Sequence, residues 1–165
     1  MRRKGDLDAA TAHLDQAVSL LVDVIRPEGH WQALHESIRA RIAVKQNRLE
    51  DARAGLSRGV AAMLEMPDLP VIAMLTENAA AMVMREGDAK CAAGLLGLAT
   101  GLRGTPDLGN VELDQLIASI KASIGEDAYA AAYDRAAGLV RQDALAELQA
   151  VLGVEESEKD NDPPS

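Results

Sequence analysis

The spacing of small, apolar and polar residues along this chain predicts helices, and one spacing is repeated. Counting from Gly5, Asn47 or Gly87, a small residue follows five positions on, a leucine nine on and another small residue twelve on. The three sets are Ala10, Leu14 and Ala17; Ala52, Leu56 and Gly59; and Ala92, Leu96 and Ala99. Gaps of four and three put each set on one face of a helix. Because small side chains let another helix approach closely, we interpret each copy as the second helix of a helix-turn-helix repeat.

Apolar residues at helical spacing, interrupted by proline, glycine and asparagine, predict eight helices. Their approximate ranges are 6–25, 30–45, 49–65, 71–85, 89–103, 111–124, 126–137 and 142–152. Helix two pairs with three and helix four with five, which predicts an all-α fold of stacked antiparallel hairpins. We expect one domain over residues 1–153 and a disordered acidic tail over 154–165. The predicted buried face of helix six consists of Val111, Leu116, Ile117, Ile120 and Ile124.

The methionines are concentrated between the second and third copies of the repeated spacing. Five of the six lie there, namely Met63, Met66, Met74, Met82 and Met84. Unbranched thioether side chains fill irregular gaps in a core, and they also suit a surface that adapts to different partners. The sequence leaves both roles open.

Composition narrows the classes of function. The formal net charge of −9 disfavours a surface that binds nucleic acid, because phosphate binding needs clustered lysine and arginine. Cys91 is the single cysteine, so no disulfide forms within the chain, and we expect a reducing, cytoplasmic location. Acidic residues interrupt the N-terminal apolar run, which predicts neither a signal peptide nor a membrane span.

The chain lacks the common motifs of catalysis and metal binding. No Walker-type glycine loop, His-Glu-x-x-His motif or pair of cysteines is present. Gly94, Gly97, Gly101 and Gly104 follow no strand, which indicates packing residues rather than a phosphate loop. His30 and His35 are five apart, a poor spacing for two ligands on one helical face, and are expected at a helix start and on the surface. We therefore expect no enzyme activity, no metal and no cofactor.

The phrase that begins Gly5-Asp6 and continues through Ala10, Leu14 and Ala17 resembles the second-helix half of the tetratricopeptide repeat. The resemblance implies a superhelix of helix pairs whose concave wall comes from the first helix of each pair. Arg41 and Asn78 would then be placed to hold a peptide carboxylate or backbone, with a merely solvated groove as the alternative. The candidate partner-binding residues are Arg41, Lys45, Met74, Glu77, Asn78, Met84 and Arg85.

Residues 87–152 resemble the C-terminal helical region of large actinobacterial-type, ATP-binding transcriptional regulators of the LuxR and antibiotic-regulator (SARP-like) kinds. The matching residues are Gly87-Asp88, Leu95-Leu96-Gly97, Gly125-Glu126, Tyr129, Ala132, Tyr133, Leu139 and Ala144-Leu145. The resemblance implies a non-catalytic module of such a regulator, without its own DNA-binding domain, that binds a protein segment or couples to neighbouring domains. Because Gly5 occupies the position of the turn within a repeat, we expect a truncated first repeat, and with it either a piece of a longer protein or a short reading frame derived from one.

Other roles remain open at this point. A free-standing adaptor or chaperone-like repeat protein is the first alternative, and a helical domain that senses a small molecule is the second. The first helix carries an apolar stripe whose usual partner helix is absent, which predicts a homodimer through that helix. The stripe consists of Leu7, Leu14, Val18, Leu21 and Ile25.

Overall fold

The computed structural model describes residues 3–22, 29–64 and 67–154. The eight helices are α1 (Arg3–Val22), α2 (Gly29–Lys45), α3 (Leu49–Leu64), α4 (Leu69–Glu86), α5 (Ala89–Arg103), α6 (Val111–Ile124), α7 (Glu126–Ala137) and α8 (Arg141–Leu152). These ranges contain no strand, and the predicted all-α fold of eight helices is confirmed. None of the helices in the described part combines the length and the apolar character needed to cross a bilayer.

The turns within the first two hairpins contain the residues that the sequence singled out. Asn47 and Gly87 both have left-handed backbone conformations, with φ of 60° and 96°. Glycine and asparagine adopt this conformation at lower cost than other residues, and it ends one helix so that the next can turn back. The Asp88 side chain then accepts a hydrogen bond from the Cys91 backbone N–H and caps α5.

In two of its three copies, the repeated small-leucine-small spacing lies at a buried contact between helices, which we call a seam. All six seam positions of α3 and α5 are buried, as predicted. In α1 the equivalent alanines, Ala10 and Ala17, are exposed, Leu14 is half-buried, and Gly5 lies inside the helix rather than at a turn. The close seam of α3 and α5 is therefore absent from α1.

A single apolar core extends from Ala33 in α2 to Leu152 in α8, and no described side chain of α1 belongs to it. Polar contacts hold α1 against α2. Gln46 Nε2 donates to Asp8 Oδ1 at 2.7 Å, and Arg39 Nη1 lies 3.8 Å from Asp15 Oδ1. Exposed contacts of this kind each contribute about 0–1 kcal/mol, so α1 is the most weakly anchored helix of the described fold.

Helices α2 and α4 run side by side in the same direction. His30 Nδ1 lies 3.2 Å from Asp68 Oδ2 at their N-terminal ends. About two turns further along, Asn78 Nδ2 donates to Ser37 Oγ at 2.7 Å. The parallel course follows from two consecutive hairpins, because each second helix returns the chain to the starting end.

The third hairpin departs from the first two, because its second helix packs more closely on α5 than on its own partner α6. Gly97 and Gly101 of α5 face the backbones of Tyr133 and Ala137 of α7, and the matching order shows that the two helices run in parallel. The Tyr133 hydroxyl also donates to Thr100 Oγ1 at 2.7 Å. Packing roles for Gly97 and Gly101 agree with the sequence, whereas Gly104 ends α5 with a φ of 82°.

The predicted buried face of α6 is confirmed only in part. Ile120 is fully buried, and Leu116, Ile117 and Ile124 are half-buried, but Val111 is 66% exposed. Val111 is the first residue of α6, so it lies beyond the helices that cover the rest of this face. Of the predicted disordered tail, residues 154–165, only Val154 is described, and it is half-buried against the core. Residues 155–165 lie outside the described residues, as do Ile25 and Met66.

Replacing Gly97 with alanine should destabilise the protein, whereas the same change at Gly94, one turn earlier in α5, should not. A Cβ atom on Gly97 would lie 2.1 Å from the Tyr133 carbonyl oxygen, so α7 would have to move. We expect Gly97→Ala to lower the free energy of unfolding by about 2 kcal/mol or more, as overpacked core sites do. Urea unfolding monitored by circular dichroism measures the difference.

Gly94→Ala is the matched control for this prediction. Its Cβ would meet Arg135 Nη2 at 3.7 Å and the Ala132 oxygen at 4.0 Å, which are ordinary contacts. We expect an unchanged or slightly raised unfolding midpoint, because alanine favours helix by up to about 1 kcal/mol over glycine. Equal midpoints for the two variants would contradict the close contact between α5 and α7.

Candidate functional site

An open groove of about 1340 Å³ lies between the first helices of the three hairpins, α2, α4 and α6. Asp6 and Leu7 of α1 reach its edge. The groove forms on this side because the second helices α3 and α5 lie behind, where α7 and α8 cover them. All seven candidate residues line it, namely Arg41, Lys45, Met74, Glu77, Asn78, Met84 and Arg85. Their role in binding a partner stays a prediction, but the structure brings them together on one surface.

The floor of the groove is largely apolar. Met74, Ala81 and Met84 contribute half-buried side chains from α4, and Leu113 and Leu116 contribute theirs from α6. Ile38 of α2 is 45% exposed on the opposite wall.

The methionines divide between the two locations that the sequence left open. Met63 and Met82 are buried in the core, at 2% and 0% exposure, whereas Met74 and Met84 line the groove. The groove thus has two adaptable thioether side chains on its central helix.

Glu77 is already engaged by an arginine. Arg103, at the end of α5, donates through Nη1 and Nη2 to the two Glu77 oxygens at 2.5 and 3.0 Å. Only 18% of the Arg103 side chain and 11% of the Glu77 side chain are exposed. The hydrogen bonds to Glu77 raise the pKa of Arg103, so this pair is a neutral, fixed part of the floor.

Asn78 is engaged as well, since its amide nitrogen donates to the Ser37 hydroxyl at 2.7 Å and to the Ser37 carbonyl at 3.3 Å. The expectation that Arg41 and Asn78 hold a peptide carboxylate together therefore meets a structural difficulty. The side-chain donor of Asn78 holds α4 against α2, while the Arg41 guanidinium is 57% exposed.

Three cations, Arg41, Lys45 and Arg85, surround one end of the groove, which we call the basic end. Lys45 Nζ lies 2.5 Å from Glu112 Oε1 of α6, and Arg41 Nε lies 3.9 Å from Glu112 Oε2. Arg85 is exposed in the last turn of α4, and within the described ranges no carboxylate oxygen lies within 4 Å of it. Glu112 and, at the edge of the groove, Asp6 are the carboxylates beside these three cations, because the contact of Asp8 with Gln46 places this part of α1 at the same end of α2. Three positive groups against two carboxylates still leave this end positive in a chain of net charge −9.

The contacts across the basic end perturb Glu112. The hydrogen bond from Lys45 lowers the pKa of Glu112, and the nearby Arg41 charge lowers it further. Glu112 thus links α6 to α2 across the groove while both partners remain about half exposed.

The sequence reasoning missed the third wall of the groove, which α6 provides through Glu112, Leu113 and Leu116. A signal for it was present. The first helices begin at Gly29, Leu69 and Val111, which are 40 and 42 residues apart, so the interval between the first two points to α6 as the next helix. Arg103 was also missed, because its contact with Glu77 joins residues 26 positions apart with no motif between them.

Other clusters of polar side chains are structural. Arg58 donates from Nε and Nη2 to the two oxygens of the buried Glu36, each at 3.0 Å, and ties α3 to α2 beside a small polar cleft of about 200 Å³. His35, expected on the surface, is half-buried, and burial lowers its pKa. Burial raises the pKa of Cys91, which disfavours the reactive thiolate. No group of three or more metal-binding side chains occurs among the residues that the structure describes.

Comparisons of the chain with protein-family models, with curated proteins and with solved structures found no match.

Replacing Lys45 with glutamine should raise the pKa of Glu112 toward the ordinary value of a glutamate. A carboxylate with a lowered pKa stabilises the fold above its unfolded-state pKa, and this contribution disappears as pH falls through the lower folded-state value. The stability difference between wild type and Lys45→Gln should be about 1 kcal/mol or less at neutral pH and vanish in acid. NMR titration of the Glu112 carboxyl and unfolding at several pH values measure these effects.

Arg135→Gln is the control, because Arg135 lowers the pKa of Glu147 in the same way on α7 and α8. It should raise the pKa of Glu147 and leave that of Glu112 unchanged. A pKa of Glu112 that is indifferent to Lys45→Gln would show that the link between α2 and α6 is not formed in solution.

Proposed function

We propose that this chain is a non-catalytic helical interaction module whose groove between α2, α4 and α6 binds a segment of a protein partner. The observation that carries the proposal is the open groove of about 1340 Å³ with a methionine and leucine floor and one basic end. Sites for small molecules are typically about 300–1,000 Å³ and enclose most of the ligand. This groove is larger and open, with an apolar floor and a charged rim. Such a surface suits an amphipathic segment, which places alternate or helically spaced apolar side chains on the floor.

The chemistry of the rim indicates what such a segment carries. Glu77 and Arg103 neutralise each other, so the positive charge is concentrated at the basic end. A segment with apolar residues over Met74 and Met84 and a carboxylate near Arg41 or Arg85 matches both features. Exposed charge pairs contribute mainly specificity and association rate, so the apolar floor supplies most of the affinity.

We place the module in a transcriptional regulator on the strength of the resemblance over residues 87–152. Several residues that carry this resemblance meet in one place, since Gly97 contacts Tyr133 and Tyr129 stacks on Tyr133 with ring centroids 5.6 Å apart. In this proposal the seam between α5 and α7 forms the rigid back of the module, and DNA contact belongs to another part of the regulator. The single cysteine supports a reducing compartment such as the cytoplasm. An adaptor unrelated to transcription is the alternative, and the gene sequence upstream of Met1 distinguishes the two.

A charged residue on the groove floor should strongly weaken the binding of a peptide segment. Peptides selected from a random display library on the wild-type chain should carry apolar residues together with Asp or Glu. We expect the selected peptide to bind Ala81→Glu at least about tenfold more weakly, because a buried carboxylate would face its apolar residues. Fluorescence anisotropy of the labelled peptide measures the affinity, and urea unfolding checks that the variant folds.

Ala61→Glu is the matched control, because Ala61 is exposed on α3, behind the groove. It should bind the peptide as the wild type does. Selected peptides that bind Ala81→Glu and Ala61→Glu equally well would place their site elsewhere and remove the groove as the interaction surface.

The homodimer predicted through α1 stays a separate proposal. Of the stripe residues, Leu7 and Leu14 are half-buried, and the other three lie outside those whose side chains are described. Leu20, which is not part of the stripe, is 63% exposed. If the stripe of α1 supplies the contact, Leu14→Lys should lower the molar mass measured by light scattering at high protein concentration, whereas Leu20→Lys, on another face of α1, should not. A wild-type chain that stays monomeric over the same range would exclude the dimer.

A further inference from the structure

The C-terminal end of α8 is fixed beside the C-terminal end of α4. Arg53 of α3 donates through Nη1 to the Val151 carbonyl at 2.5 Å and through Nη2 to both Glu86 oxygens at 2.9 and 2.8 Å. Ser57 donates its hydroxyl hydrogen to the Leu152 carbonyl at 2.8 Å. Gly153 then ends α8 in a left-handed conformation, with a φ of 68°. One guanidinium therefore joins the last turn of α8 to the last residue of α4.

This position lies at the same end of α4 as the basic end of the groove. Glu86 faces Arg53, and its neighbour Arg85 lines the groove. A chain leaving Val154 has about one helix diameter, 10–12 Å, to cover before it reaches the groove side of α4. About four extended residues span that distance, since each adds about 3.3 Å.

The sequence that follows Val154 is complementary in charge to the basic end. Residues 155–165 contain five acidic residues and one lysine, a net charge of −4. The residues are Glu155, Glu156, Glu158, Lys159, Asp160 and Asp162. The extended length of this segment is about 36 Å, which is ample to reach Arg85, Arg41 and Lys45.

We propose that residues 155–165 occupy the basic end of the groove of their own chain, with their carboxylates against Arg41, Lys45 and Arg85. The occupant is intramolecular because the tether starts about one helix width away and holds the segment at an effective concentration of the order of millimolar. Individual exposed contacts are weak, so several interchanging pairs hold the segment, and it needs no helix or strand of its own. The inference rests on the groove of the proposed function, where the segment competes with an acidic partner.

Paramagnetic relaxation enhancement tests this inference on the full chain without any partner. A nitroxide is attached at Asn161→Cys, between Asp160 and Asp162, after the native thiol has been removed with Cys91→Ala. At low salt we expect strong broadening of the backbone amide signals of Arg41, Lys45 and Arg85, and little at Trp31, at the other end of α2. About 0.5 M NaCl should reverse most of the broadening, because the Debye length then falls to about 4 Å.

Two arginine pairs provide the matched comparison. Arg41→Gln with Arg85→Gln should remove at least half of the broadening at Lys45, whereas Arg39→Gln with Arg141→Gln, both exposed and outside the groove lining, should leave it unchanged. Equal effects of the two pairs, or broadening no greater at the basic end than at Trp31, would overturn the inference. Broadening seen only when spin-labelled and isotope-labelled chains are mixed would also overturn it, because the occupant would be a second copy.

The failure of this inference is distinguishable from failure of the proposed function. Peptide binding that depends on Ala81 concerns the apolar floor and is measured on a chain with or without its acidic residues after Val154. A segment that stays away from the basic end leaves that binding intact. A segment that binds there should weaken a competing acidic peptide, and replacing all five acids by their amides should strengthen that peptide several-fold.

Discussion

Close backbone approach between helices is the constraint on which this structure depends. The chain has no phenylalanine and only 2% aromatic residues, so large rings cannot fill wide gaps between helices. Small residues bring the helices together instead. Gly59 admits Leu75 of α4 against α3, and Gly97 brings the backbone of α7 so close to α5 that a single added carbon would collide with it. Dispersion contacts and burial then come from many short aliphatic side chains, and each seam tolerates little change in volume.

The same constraint determines where the groove lies. The seams pack α5 between neighbours on both sides and leave α3 exposed only along one stripe, which includes Ala54 and Ala61 and faces away from the groove. The first helices α2, α4 and α6 pack mainly at their backs and leave their other faces to the groove. Polar contacts between α2 and α4, such as Asn78 with Ser37, hold the walls in register. Side chains on the groove face pack against the core on one side only, which is why half-buried methionines and exposed cations occur there.

Much of this fold was readable from the sequence because local rules decide it. Asn47 and Gly87 indicate turns because their residue types tolerate a left-handed backbone conformation. The predicted first and last residues of α5 and α7 agree with those of the structure. The prediction for α1 failed in part because Ala10, Leu14 and Ala17 match the seam spacing, yet a seam needs two facing helices. The spacing of residues along one helix does not show whether a second helix packs against it. The prediction that Val111 is buried failed for a similar reason, because helical periodicity does not show how far a neighbouring helix extends.

The position of the candidate site could be predicted from the sequence, but the hydrogen-bond and ion-pair partners of its side chains could not. The resemblance to the tetratricopeptide repeat implies which faces of α2 and α4 line a groove, and all seven candidates line the groove of the structure. It does not reveal that Arg103 neutralises Glu77 or that Ser37 engages Asn78, because these pairs join distant parts of the chain. Pairing changes what each residue offers to a ligand. An arginine and an asparagine that look equivalent in the sequence become one exposed cation and one structural amide.

The charge distribution of the chain bears on which acidic segment reaches the basic end first. The formal charge is −9, of which residues 155–165 carry −4, leaving −5 for the rest. A free acidic partner approaches against this net charge, and the local attraction of Arg41 and Arg85 acts only within about 8–10 Å at moderate salt. A segment tethered beside α4 starts only about one helix width from the basic end, close to the range of that attraction. The arrangement therefore favours the chain's own acidic residues at low partner concentration, and a foreign segment displaces them only if its apolar side chains also use the floor formed by Met74 and Met84.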